Sequence, residues 1–302
     1  MPQMSRLLTR LRASLEDLSP VQRRVAQYVL EHPDATIYHS VTELSEATRS
    51  SEGSIIRFCQ DLGFSGFQEF KLTLAVELDP PSRAQSTLGG LGAGSRSRPA
   101  GSGAVDLSSG EQVPAENLMA RLATNASAAL LDTANLFEVE AFQTVARHLA
   151  AAGHVDIYGV GASGVVAQYF AYKLLRLGVT VQAFTDMHLG SMSASNLGEG
   201  AVAIGVSSSG STLDTLQALR TAKEAGAFTV AVTNRLKSPL AKVADRSLFA
   251  SPPESPLTGG DVFAKIGQLL VLEALMRMMV ADDHALLEVV QRTARVVADR
   301  SI

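Results

Sequence analysis

Ala201-Val202-Ala203-Ile204-Gly205-Val206, followed directly by Ser207-Ser208-Ser209-Gly210-Ser211-Thr212, is the stretch that decides the fold. Its first half is apolar and short, as a buried strand is. Leu213, Leu216 and Leu219 then recur at helical spacing. A glycine and several hydroxyls therefore sit where a strand ends and a helix begins. Amides at a helix start have no intrahelical partner and carry the positive end of the helix dipole. Hydroxyls added there make a pocket for an anion, most often a phosphate. The run holds no Lys or Arg, which suits a small phosphate ester better than a triphosphate with its metal. The competing reading is a serine-rich turn in which one Ser caps the helix.

Working outward, the pattern alternates. Strand candidates are 155–160, 179–184, 228–233 and 247–250, and helical spacing covers 163–177, 187–197 and 212–225. Longer helical patterns at 115–151 and 261–300 flank the set. Such alternation predicts an α/β fold with a parallel sheet covered on both faces. Ligands of such sheets bind at the carboxyl ends of the strands.

Gly159-Val160-Gly161-Ala162-Ser163-Gly164 is a second strand-to-helix loop. Its glycines match a dinucleotide fingerprint, but the acidic residue expected after the next strand is matched only loosely by Asp186. A nucleotide fold would also leave the serine run without a role. The alternative is that Ser163 caps its helix and points at the same ligand as Ser207 and Ser209. Taken together, Gly-x-Gly-Ala-Ser and Ser-x-Ser-Gly-x-Thr resemble the SIS (sugar isomerase) domain over roughly residues 120–280. The resemblance implies a flavodoxin-like parallel sheet that binds a phosphosugar. It also implies that Ser163, Ser207, Ser209 and Thr212 hold the phosphate, with Ser208 contributing mainly backbone. His188 follows a strand end and is expected to touch the ligand without catalysing.

The 302 residues suffice for two domains, and 46% hydrophobic content supports a real core. A net charge of −4 does not by itself announce nucleic acid. The single cysteine, Cys59, excludes an internal disulfide framework, and no Cys/His spacing suits zinc. The N-terminus lacks the apolar core of a signal peptide, and the apolar segment 266–281 is interrupted by Glu273 and Arg277. A soluble cytoplasmic protein without metal or cofactor is expected. Residues 89–110 hold seven Gly and five Ser, too little apolar surface to offset ordering entropy. The expected organisation is a helical domain over 1–78, a flexible Gly/Ser-rich linker over 79–113 and the sheet domain over 114–302.

In the first of these, Ser19-Pro20 reads as an N-cap followed by a proline at the first helical position. Val41–Ala47 is a short helix, a second begins near Ser51 and stops at Leu62-Gly63, and another starts at Gly66-Phe67. Two short helices joined by a tight turn suggest a helix-turn-helix, whose second helix meets base edges in the major groove. Yet residues 1–78 carry eight Lys/Arg against ten Asp/Glu. Such a module binds DNA only if its basic residues face one way. Arg49, Arg57 and Lys71, with Arg6, Arg10 and Arg12, are the candidates, and a helical oligomerisation module is the alternative.

The stretch from Leu18 to Leu78, above all residues 51–67, resembles the N-terminal domain of RpiR-type transcriptional regulators. That family joins this helix-turn-helix to a SIS domain in the same order. The resemblance implies that Ser51, Ser54 and Arg57 lie at the DNA surface, with Arg57 on a guanine or a phosphate and the serines on phosphates. The plainer role for Arg57 is an ion pair with Asp61 four residues on. Where the family usually has Gly in the turn, this chain has Arg49. A left-handed conformation there costs a non-glycine residue about 1 kcal/mol, so a shifted turn is expected.

SIS domains also occur in aldose–ketose isomerases, which need a positioned base. Glu254, Glu273, His154 and His188 are the candidates. Glu273 stands in an apolar helix, where burial would raise its pKa, unless it pairs with Arg277. His154 opens a strand at the end away from the loops. No convincing acid–base pair assembles, so the expectation is a non-enzymatic regulator. It would bind a palindromic operator as a homodimer or homotetramer and sense a sugar phosphate. The alternative is a phosphosugar isomerase with a helical appendage.

Overall fold

The computed structural model describes residues 6–78, 103–105, 112–252, 261–282 and 285–298. Two compact units divide between residues 125 and 126. Most of the expected linker lies outside the described residues. Near its end, β1 (Gly103–Val105) pairs antiparallel with β2 (Gln112–Pro114).

The first unit contains α1 (Arg6–Ser14), α2 (Pro20–Glu31), α3 (Pro33–Thr36), α4 (Val41–Ala47), α5 (Glu52–Asp61) and α6 (Phe67–Leu78). Capping boxes start α2 at Ser19 and α4 at Ser40, and Ser51 caps α5 by accepting from the Ser54 amide. These caps satisfy the amides that helix starts leave unpaired. The helices close around Leu11, Val25, Val29, Leu44, Ile55, Phe58, Phe70 and Leu74. Helix α1 adds Leu7 and Leu11 to this core, and Ile37 joins it just after α3.

The division falls within α7 (Ala115–Asn135), and the second unit goes on through α8 (Val139–Ala151), β3 (His154–Tyr158), α9 (Ala162–Arg176), β4 (Val181–Phe184) and α10 (Met187–Ala194). It runs on through β5 (Ala201–Val206), α11 (Leu213–Glu224), β6 (Phe228–Thr233), α12 (Pro239–Val243), β7 (Arg246–Phe249), α13 (Val262–Asp282) and α14 (Ala285–Ala298). The sheet order is β4-β3-β5-β6-β7 and every pairing is parallel. That is the flavodoxin-like order, whose direction reverses between β3 and β5.

Side-chain alternation divides the sheet between two cores. Val155, Ile157, Val202, Ile204, Val230 and Val232 face α8, α9 and α13. Tyr158, Ala201, Ala203 and Ala231 face the layer of α11 and α12 through Ala218, Leu219 and Leu240. All six residues of β5 are buried, as a parallel strand covered on both faces must be. Among the described residues no helix is long and apolar enough to cross a membrane.

Candidate functional site

The loops after β3 and β5 flank the point where the strand order reverses, and they meet in one cavity. Val160, Ala162, Ser163, Ser207, Ser208, Ser209, Thr212 and Lys265 line it, with a volume of about 160 Å³. Both α9 and α11 begin there, so two helix dipoles present their positive ends.

The β3 loop is shaped by its glycines. Gly161 has φ 56 and occupies the N-cap position of α9. A Cβ at Gly159 would lie 2.8 Å from the Ser163 carbonyl oxygen, and one at Gly164 would lie 2.9 Å from that of Gly159. The glycine spacing is therefore explained by close strand–helix approach and needs no dinucleotide. Ser163 does not cap α9, contrary to expectation. It stands inside the first turn and lines the cavity.

In the β5 loop, Ser207 Oγ lies 3.0 Å from Thr212 Oγ1 and accepts from the Gly210 amide at 3.1 Å. Ser209 Oγ accepts from the Ser211 amide at 3.2 Å. Gly210 has φ 60, and a Cβ there would run into Ser238. Thr212 is the N-cap residue of α11 yet makes no side-chain capping bond. The serine run is thus not spent on capping its own helix.

One group escapes a reading of these loops. Lys265 on α13 donates to Ser163 Oγ at 3.2 Å and to Ser208 Oγ. It joins the two loops and supplies the cation that the run itself lacks. Gln268, one turn later and fully buried, donates to Ser208 Oγ at 3.2 Å and to Asn234 Oδ1 at 2.8 Å. The Ser208 hydroxyl is thus engaged by both Lys265 and Gln268 within the protein. Lys265 and Gln268 are the polar positions in an otherwise apolar run from Val262 to Leu272, three residues apart, and that spacing was the available signal. His188 is exposed in the first turn of α10 and is not among the residues lining this cavity.

The arrangement suits a phosphate monoester. Hydroxyls, helix starts and one ammonium provide donors around a small volume. Among the described residues lining this cavity there is no carboxylate or imidazole. Glu273 pairs with Lys173 and with Arg277, each at 3.0 Å, and lines a different cavity. The Lys173 hydrogen bond holds its carboxyl below the ordinary value, opposite to the raised pKa that apolar surroundings suggest. Glu254 lies outside the described residues. His154 sits at the start of β3, 2.7 Å from Asp156 Oδ1.

In the first unit several carboxylates are engaged by local hydrogen bonds. Glu43 closes the α4 capping box, Glu69 accepts from Ser65, Glu77 accepts from the Leu7 amide and Glu52 accepts from Thr42. Some basic groups are also internal. Arg10 donates to Leu62 O, and Arg23 to the carbonyls of Leu15 and Glu16. Lys71 does not reach a DNA surface as expected: it is 4% exposed and donates to His39 O at 2.8 Å. Its place on the core side of α6 overrides its charge.

Arg49 and Arg57 are exposed. Arg57 does not pair with Asp61, whose carboxylate accepts from Gln22. The turn is not shifted: Arg49 itself adopts φ 49. Arg24 on α2 holds the turn by donating to Thr48 O and Arg49 O, each at 3.2 Å. Ser51 and Ser54 sit at the start of α5 with their hydroxyls 2.8 Å apart.

Comparison with known proteins agrees with both halves. A model of the rpiR-family helix-turn-helix domain matches residues 5–81, and one of the SIS domain matches residues 148–278. An uncharacterised HTH-type transcriptional regulator of Caldanaerobacter subterraneus subsp. tengcongensis is 35% identical over 99% of each chain. The Bacillus subtilis regulator YbbH is 29% identical over 88% of each chain. The solved Vibrio vulnificus NanR protein, complexed with ManNAc-6P, superposes with a TM-score of 0.83 at 31% identity, covering 98% of this chain and 100% of that one.

Proposed function

Because the chain belongs to the RpiR family of HTH-type transcriptional regulators, we propose that its SIS domain binds a sugar phosphate and thereby alters operator binding by its helix-turn-helix. The observation that carries this reading is the bridge from Lys265 to Ser163 and Ser208 within a cavity whose other polar lining is hydroxyl-bearing. The phosphosugar in the similar NanR structure supports the same ligand class. Ser163, Ser207, Ser208, Ser209, Thr212 and Lys265 bind the phosphate, and His188 meets the sugar. Arg49, Ser51, Ser54 and Arg57 form the DNA side.

The effector acts by linkage. It shifts DNA affinity only as far as it binds the DNA-competent and DNA-incompetent states unequally. The protein works in the cytoplasm on a palindromic operator, paired with a second copy so that two helix-turn-helix modules meet two half-sites. The regulatory reading is favoured over isomerisation because Glu273 is held ionised by Lys173 and Arg277, which weakens it as a base. A gel shift with the DNA flanking its own gene, with and without a panel of phosphosugars, tests the proposal. A phosphosugar should change the midpoint, and a midpoint indifferent to every member would refute effector control.

A further inference from the structure

Helix α5 turns one face outward. Gly53, Ile56, Arg57 and Gln60, spaced at i, i+3, i+4 and i+7, are exposed, while Ile55, Phe58 and Cys59 enter the core. Two features of that face have no explanation within the unit. Ile56 is an aliphatic side chain 40% exposed beside an unpaired guanidinium. Gly53 lies within the first turn, where glycine is less favourable than alanine. Nothing in the protein requires glycine there: an added Cβ would meet only Ser51 Oγ, at 3.9 Å. Its φ is not positive either. A missing side chain that neither the backbone nor the packing demands points to an external surface pressed close to the helix.

On the regulator reading, that surface is the floor of a major groove. The groove presents hydrogen-bonding edges and one apolar group, the thymine 5-methyl. We infer that Ile56 reads a thymine by packing on its 5-methyl group, and that Gly53 lets α5 approach closely enough for the contact. Ile56 is then a specificity residue, next to Arg57 with its polar contact. This inference rests on the proposed DNA binding and adds a particular base to it.

The test uses the full-length chain and a duplex selected by it from a library of 30-base-pair fragments with randomised cores. Each thymine of that duplex is replaced in turn by deoxyuridine, which removes only the methyl. At one position per half-site the replacement should weaken binding about fourfold, the effect expected for one buried methyl-sized group. In Ile56→Ala the same replacement should change affinity less than 1.5-fold. An equal deoxyuridine effect in both proteins, or no sensitive thymine, would overturn the inference while leaving DNA binding intact. Gly53→Ala separates close approach from folding, since it should raise the melting temperature and lower DNA affinity together. Unchanged affinity with a raised melting temperature would overturn the role of Gly53. Failure to select any duplex would refute the regulator reading, and the inference with it.

Discussion

Lys265 and Ser163 meet at 3.2 Å although 102 positions separate them in sequence. The contact ties α13 to the first turn of α9, and through Ser208 to the loop after β5. An ammonium among hydroxyls and helix starts has the donors that a dianion requires.

Lys265→Gln should weaken phosphosugar binding about 10- to 100-fold, the range for losing charge-assisted hydrogen bonds. Operator affinity measured without effector should not change. Calorimetry with the wild-type effector and a parallel gel shift check this. Loss of both functions together would mark Lys265 as a folding residue.

Arg49→Gly should raise stability by about 1 kcal/mol, because glycine takes φ 49 without the side-chain penalty. Urea unfolding measures it. The same variant should lose one phosphate contact, so its salt slope for DNA binding should be shallower by about 0.9. Arg24→Gln should destabilise by about 1 kcal/mol through loss of its bonds to Thr48 O and Arg49 O. That loss should shrink when Arg49 is also replaced by Gly.

Lys71→Ala should lower stability by about 1–3 kcal/mol, since it removes the buried donor to His39 O. Its salt slope for DNA binding should equal that of the wild type, because the amine is not at the surface. A shallower slope would return Lys71 to the DNA interface.

Glu273 makes a pH-dependent contribution of known sign. Its carboxyl is held below the ordinary value of 4.5 by Lys173 and Arg277. The stabilisation is therefore complete above about 4.5 and is lost as pH falls through the lower folded-state value. Partial exposure limits it to under about 1 kcal/mol. The stability gap between wild type and Glu273→Gln should narrow as acid is added, in urea melts between pH 7 and 3, and phosphosugar affinity near neutrality should be equal in the two proteins.

The parts of the fold that the sequence made legible are those governed by burial on two faces. Ala201–Val206 and Phe228–Thr233 read as strands because nearly every side chain is apolar, and their limits coincide with the structure. The cap at Ser19 was legible because capping is a local contact. Lys265 was not, because a long-range contact leaves no trace near either loop. Lys71 misled because its charge says nothing about the stem that carries it into a core. Arg49 misled in the opposite sense. Local sterics argued for a moved turn, and two hydrogen bonds from a residue on α2 hold it in place.

The measurement that bears most directly on the central claim is calorimetric titration of the full-length protein with hexose and pentose phosphates, each paired with its dephosphorylated sugar. At least one ester should bind saturably while its parent sugar does not, and Ser208→Ala should weaken that ester at least tenfold. Silence across all the esters, or equal binding of ester and parent sugar, would contradict a phosphate site built from the β3 and β5 loops and Lys265.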